Sequence, residues 1–166
     1  MRGHVRSIAL AVIRRERDDA ILVYEGYDPR RDMTFYRPLG GTIEFGEPSE
    51  QTVRRELHEE VGLELQDVQY LATIENIFTH QGQMGHEIVM LYSARLAEST
   101  VQAYDREVIQ GVEANGQPLT VRWIPLSHFG SDGPPLFPTG LLELLTGENS
   151  GQEGGRDAQP GAHSGV

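Results

Sequence analysis

The chain has no cysteine among its 166 residues, and every one of its 14 basic residues is arginine. The first absence excludes disulfides, thiol nucleophiles and cysteine zinc sites. The lack of lysine excludes a catalytic lysine and the lysine of a phosphate-binding P-loop. Long apolar runs are missing too. The first, IALAVI at residues 8–13, is far too short to span a bilayer. No small-residue cleavage site follows it, so it does not read as a signal peptide. The six histidines are scattered without an H-E-x-x-H pair, which excludes a zinc hydrolase of that kind. A net charge of −11 argues against strong non-specific binding to nucleic acid, which needs a positive surface. These absences predict a cytoplasmic protein without a membrane partner; a homodimer stays open. An acidic chain can still handle phosphates where a cation or a few placed arginines invert the local field.

What is present suits one domain with a real core: 38% of the residues are hydrophobic. VRSIALAVI (5–13) reads as a buried strand, with AILVYEG (20–26) as its partner across a charged turn. GYDPRRDMTFYRPLGG (26–41) reads as a loop entering a short strand. SEQTVRRELHEEVG (49–62) reads as a helix. Ser49 is its expected N-cap, Glu50 suits the positive end, and Gly62 suits the C′ position. Two β-rich runs, 68–78 and 86–96, flank a glycine-containing loop and predict a hairpin. LTVRWIP (119–125) is a further strand and TGLLELLTG (139–147) a short helix. Residues 1–146 thus form one α/β domain of interleaved strands and helices. Residues 147–166 are rich in glycine and polar groups and predict a disordered tail.

The helix carries an unusual charge pattern. Successive helical residues turn by about 100°. Glu56, Glu59 and Glu60 therefore share one face, while Val53, Leu57 and Val61 share another. Like charges at this spacing cost a few tenths of a kcal/mol per pair. A hard cation at that edge would reverse the sign, because Mg²⁺ prefers carboxylate oxygens completed by water and phosphate. A glutamate-rich solvated face is the plainer reading of such a helix taken alone.

The wider pattern decides between them. From Gly41 to Leu63 the chain reads GTIEFGEPSEQTVRRELHEEVGL. This resembles the box of the Nudix hydrolase family, G-x5-E-x7-R-E-U-x-E-E-x-G-U with U a bulky aliphatic. Gly41, Glu47, Arg55, Glu56, Leu57, Glu59, Glu60, Gly62 and Leu63 fill every specified position. Background composition would supply such a match with odds on the order of 10⁻¹⁰ per start position. The resemblance implies an α/β/α sandwich around a mixed sheet. It also implies hydrolysis of a nucleoside diphosphate linked to another moiety, with Mg²⁺ or Mn²⁺ as cofactor. A nucleotide-type small molecule is then the expected partner, with a (deoxy)nucleoside triphosphate as the default substrate.

Carried over residue by residue, Glu56, Glu59 and Glu60 become metal ligands, joined by a backbone carbonyl near Gly40 and Gly41. Glu59 and Glu56 are both candidate general bases. Glu87, at the start of the second hairpin strand, is a further candidate as base or extra ligand, and Glu107 a weaker one. Glu47 is a weaker candidate, as an outer ligand of the metal or as a partner of Arg55; Arg55 falls away from the metal edge on the helical wheel and is expected to lock loop to helix through an ion pair. Arg37, three residues before Gly40, is the candidate phosphate ligand. Phe35, Tyr36, Phe78 and Trp123 could stack on a base, although most aromatics in a small domain are core. His58 is expected to be exposed. The subgroup markers for ADP-ribose and diadenosine polyphosphate hydrolases are absent: Thr79, His80 and Gln81 stand about sixteen residues beyond the box. The competing reading is a Nudix-fold sensor that binds nucleotide without cleaving it. An isopentenyl diphosphate isomerase of this fold would need a cysteine, and the chain has none.

Overall fold

The computed structural model describes residues 3–147. Of the tail expected at 147–166, all but Gly147 lie outside the described residues. The elements in chain order are β1 (Arg6–Arg15), β2 (Ala20–Asp28), β3 (Met33–Thr42), α1 (Ser49–Val61), β4 (Leu65–His80), β5 (Gln83–Leu96), β6 (Val108–Val112), β7 (Pro118–Pro125) and α2 (Leu141–Thr146). The strands form one mixed sheet in the order β4-β5-β1-β3-β2-β7-β6. β1 runs parallel to β5, and the other strand pairs are antiparallel. Two hydrophobic layers cover its faces, giving the α/β/α sandwich.

The alternation of β1 builds both layers. Ala9, Ala11 and Ile13 face one way and pack with Val53 and Leu57 of α1. Ile8, Leu10 and Val12 face the other way and pack with Leu141 of α2. A strand buried on both faces belongs at the centre of a sheet. This corrects the expected pairing of β1 with β2. The two meet only at Arg14–Ile21 and Arg15–Ala20, beside their connecting turn. Beyond that, β1 pairs with β3 and β5.

Residues 26–41 are not a loop before a short strand. β2 continues to Asp28, β3 takes up at Met33, and only four residues turn between them. The Asp28 carboxylate accepts the Arg30 N–H at 3.0 Å, so a side chain substitutes for a turn carbonyl and keeps the reversal short. The predicted 68–78 and 86–96 hairpin is present and longer, as β4 and β5 with Gln81 and Gly82 at its tip. A Cβ at Gly82 would collide with the Arg30 guanidinium. The tips of the two hairpins therefore meet, and a cleft remains between them.

α1 spans nearly the predicted range, and Gly62 ends it with φ 66°. That left-handed conformation suits glycine. Ser49 is not the N-cap. Pro48 holds that position, extended at φ −62° and ψ 139°, without a side-chain cap. The Ser49 hydroxyl instead meets the Tyr92 hydroxyl at 2.5 Å, tying the helix start to β5. Leu57 is fully buried beneath the helix, which contributes about 1.5–3 kcal/mol.

Candidate active site

The last two turns of α1 stand against the end of β3, and glycine makes this possible. A Cβ at Gly41 would strike the Glu56 carboxylate. A Cβ at Gly40, whose φ is 151°, would strike the Ala9 carbonyl. β6 comes equally close from the other side, since a Cβ at Gly111 would meet the Glu60 carbonyl. The glycines thus let two strands press against the acidic edge of the helix.

Glu56 and Glu60, one helical turn apart, are close enough for the charge of one to act on the other. Burial first, and then the Glu56 charge, push the Glu60 carboxyl up to about 7, against an opposing pull from Arg37. Two adjacent carboxylates in a half-buried place cannot both ionise cheaply. Glu59 points elsewhere. Its side chain is 55% exposed, and its Oε2 lies 3.3 Å from Arg55 Nη1.

Arg55 is the hub of this edge. Its Nε donates to Glu47 Oε1 at 2.7 Å and its Nη2 to Glu47 Oε2 at 3.1 Å. Nη1 donates to Glu56 Oε1 at 3.1 Å, and Nη2 also donates to the Thr42 carbonyl at 3.3 Å. The wheel placed Arg55 away from the acidic edge; the structure corrects this. The i,i+4 spacing makes Glu59 a surface neighbour, and the long fork reaches round to Glu56. The bidentate pair holds Glu47 down at about 2, helped by the Thr52 hydroxyl and the Glu44 N–H. The same contacts raise the Arg55 guanidinium above its ordinary value.

Among the described residues, no three Asp, Glu or His side chains converge closely enough to enclose a metal ion. The donor chemistry nevertheless fits a hard cation. Glu56 and Glu60 offer adjacent oxygens, and their mutual repulsion is what a divalent charge relieves. Glu59, on the same helix but turned outward, is held by Arg55 at 3.3 Å and does not converge with the pair in this structure.

Beside the helix edge, the two hairpins enclose a cleft of about 300 Å³. Arg37 and Glu87 both line it. Arg37 Nε is buried without a hydrogen-bond partner among the described residues. Its pull on the Glu60 carboxyl joins the cleft to the carboxylate edge. Glu87 is 2% exposed and paired with Arg6, so it sits in the cleft wall and not on the helix edge. Phe35 and Phe78 also line the cleft. Tyr36 and Trp123 are core, and Glu107 is exposed. His58 is exposed and paired with Glu64.

Sequence reasoning missed three residues here. Asp28 and Asn76 are buried in the cleft wall. For Asn76 a signal existed: in the alternation of β4 it shares a face with Ile74 and Phe78, where an apolar residue belongs. Glu113 follows β6, and its charge raises both Glu60 and Tyr24. β6 is five residues long and contains a glycine, too weak a pattern to announce a strand.

Residues 4–139 match the NUDIX domain. Among solved structures the chain is similar to a MutT NUDIX hydrolase from Burkholderia pseudomallei. That likeness has 20% identity and a TM-score of 0.59, over 89% of this chain and 100% of that one. It is also similar to a NUDIX hydrolase from Nitrosomonas europaea, at 16% identity and TM-score 0.50, over 75% of this chain and 74% of the other. The E. coli ORF135 protein is similar at 21% identity and TM-score 0.50, over 90% and 94%. At such identities the likeness is one of fold. The domain match runs through the acidic helix, the glycines that admit it and the cleft beside it, and on that match the chain belongs to the NUDIX family.

Proposed function

We propose that this chain is a hydrolase that needs Mg²⁺ or Mn²⁺ and cleaves the pyrophosphate bond of a nucleoside diphosphate derivative, by default a (deoxy)nucleoside triphosphate. Membership of the NUDIX family implies pyrophosphate-bond hydrolysis and a nucleotide-type small molecule. Among the described residues no helix is long and apolar enough to cross a membrane. The observation that carries the finer reading is the adjacent Glu56–Glu60 pair on the helix edge that Gly41 and Gly111 admit, with Glu56 so close to Gly41 that a Cβ there would strike its carboxylate and the Glu60 carboxyl pushed up by burial and by the Glu56 charge.

Glu56, Glu59 and Glu60 would hold the cation, with the backbone at Gly40 beside them. Such a cation would offset the charge of the pyrophosphate and lower the pKa of the attacking water. Arg37, whose buried Nε has no partner among the described residues, binds a phosphate. Glu59 or Glu56 removes the proton as water attacks phosphorus in line. Arg55 positions both through its contacts to them, and Glu47 fixes Arg55.

The test is a substrate panel with Mg²⁺: (d)NTPs, dinucleoside polyphosphates, nucleotide sugars, ADP-ribose and capped RNA, with phosphate release or product separation as readout. Hydrolysis within the panel supports the proposal. Binding without cleavage of any of them would make the chain a nucleotide sensor.

A further inference from the structure

The two edges of the sheet are unlike. β6 closes one edge with five residues, Val108–Val112, and its Gly111 is pressed against the Glu60 carbonyl of α1. β4 forms the other edge with sixteen residues, Leu65–His80, and among the described residues it pairs only with β5. In an antiparallel ladder every second residue turns its N–H and C=O away from the partner strand. On an edge strand that row is a template for one more strand. Native edges are blunted by shortness, by lysine, by proline or by bulges. β6 is short. β4 contains no proline, and the chain has no lysine. Its register with β5 slips between Gln66 and Gln69 and again between Tyr70 and Ala72, so its first half is irregular. From Ala72 to His80 the register is unbroken. At about 3.4 Å per residue this leaves a regular open edge of about 30 Å.

The side chains along that stretch are self-complementary. Thr73, Glu75, Ile77 and Thr79 alternate onto one face of the sheet, and all four are exposed. Ile77 is 59% exposed. Its neighbour across the pair with β5 is His86, whose Nε2 already meets Glu75 Oε1 at 2.8 Å, so Ile77 finds no apolar cover there. Asn76 and Phe78 take the other face and line the cleft, so a strand added at this edge leaves the cleft open. Two copies of one strand, paired antiparallel about a two-fold axis, set one residue opposite itself. With Glu75 on the axis, two carboxylates face each other. With Asn76 there, Glu75 falls opposite Ile77. With Ile77 there, the two exposed isoleucines meet, and each Glu75 lies opposite a Thr79 hydroxyl. Of these three, the last alone brings apolar to apolar and keeps the like charges apart.

We propose that this chain forms a two-fold dimer in which residues 72–80 of β4 pair antiparallel with the same residues of a second copy, Ile77 opposite Ile77, joining two sheets into one. The proposal stands independently of the hydrolase reading.

Sedimentation velocity of the full chain across the micromolar range tests the association. The mass rises from monomer to dimer with concentration. Each copy carries a net charge of −11, so added salt, which screens that repulsion, strengthens the dimer. A monomer at every concentration and salt overturns the proposal. Ile77→Glu, checked for an unchanged melting curve, sets two carboxylates face to face and lowers the association constant about tenfold or more. A dimer untouched by that change lies on another surface and overturns the proposal. The register is read separately. Because the parent has no cysteine, each single replacement reports one position. Under a mild oxidant Ile77→Cys gives a covalent dimer on a non-reducing gel. Thr73→Cys, which this pairing sets opposite the Gln81 turn of the second copy, does not. Any result other than faster crosslinking through Ile77→Cys overturns the proposal.

Discussion

The acidic edge of α1 and the cleft beside it do different work and are built in opposite ways. The edge comes from one short segment. Glu47, Arg55, Glu56, Glu59 and Glu60 lie within fourteen residues; one helix carries the last four, and Arg55 draws in Glu47 from the loop before it. The cleft comes from four strands, with Asp28, Phe35, Arg37, Asn76, Phe78 and Glu87 meeting only after β1 has taken β3 on one side and β5 on the other. The edge is charged and partly wet; the cleft is aromatic with a few buried polar atoms. One suits chemistry on phosphates and the other recognition of what the phosphates carry.

The sharpest way to break this division is to mutate each half and compare kinetic parameters. Glu59→Gln lowers kcat by about a hundredfold or more, because it removes a cation ligand or a base. Phe78→Ala raises KM by about tenfold and leaves kcat within about twofold, because stacking binds ground state and transition state alike. Steady-state kinetics on one nucleotide substrate, with both variants checked for folding, decides this. The division fails if the two variants change the same parameter.

A smaller effect separates the two ends of the edge itself. Glu60 stands raised to about 7 in the fold against an ordinary 4.5. Its contribution to metal-free stability is fully present below about pH 4.5 and is lost as pH rises through 7. Glu47 is depressed to about 2, so its contribution is present above pH 4.5 and is lost as pH falls through 2. Melting curves in EDTA should therefore show Glu60→Gln flattening the loss between pH 5 and 8. Glu47→Gln should leave that limb as it is in the parent. If Glu60→Gln leaves the limb unchanged, Glu60 is not strained by its neighbour.

The smallest effect is the static one. At pH 8 in EDTA, Glu60→Gln is as stable as the parent or more stable by tenths of a kcal/mol, since one member of a repelling pair is gone. With saturating Mg²⁺ the order reverses, because the parent gains more from binding. Differential scanning calorimetry under the two conditions measures both. Destabilisation in EDTA would make Glu60 a structural acceptor.

This contrast also explains what the sequence could and could not disclose. The helix, its glycine stop, its acidic face and the β4–β5 hairpin follow local periodicities, and each was legible. The partner of β1 was not. Nothing in VRSIALAVI says which strand lies beside it, and the nearest strand in sequence was the wrong choice. Ser49 looked like a cap because serine favours that place, but Pro48 before it and Tyr92 across from it took over. The reach of Arg55 escaped a helical wheel, which places Cα atoms and ignores the length of a guanidinium side chain. Asp28 and Asn76 acquire meaning only from the residues folded against them.

The central claim is that the acidic edge works through a divalent cation. Its most direct test follows phosphate release from nucleoside triphosphates by the metal-stripped protein in EDTA, and then on titration with Mg²⁺ or Mn²⁺. The account predicts no hydrolysis in EDTA, recovery as either ion is added, and no recovery by Glu59→Gln at the same concentrations. Full activity in the metal-stripped protein would contradict it.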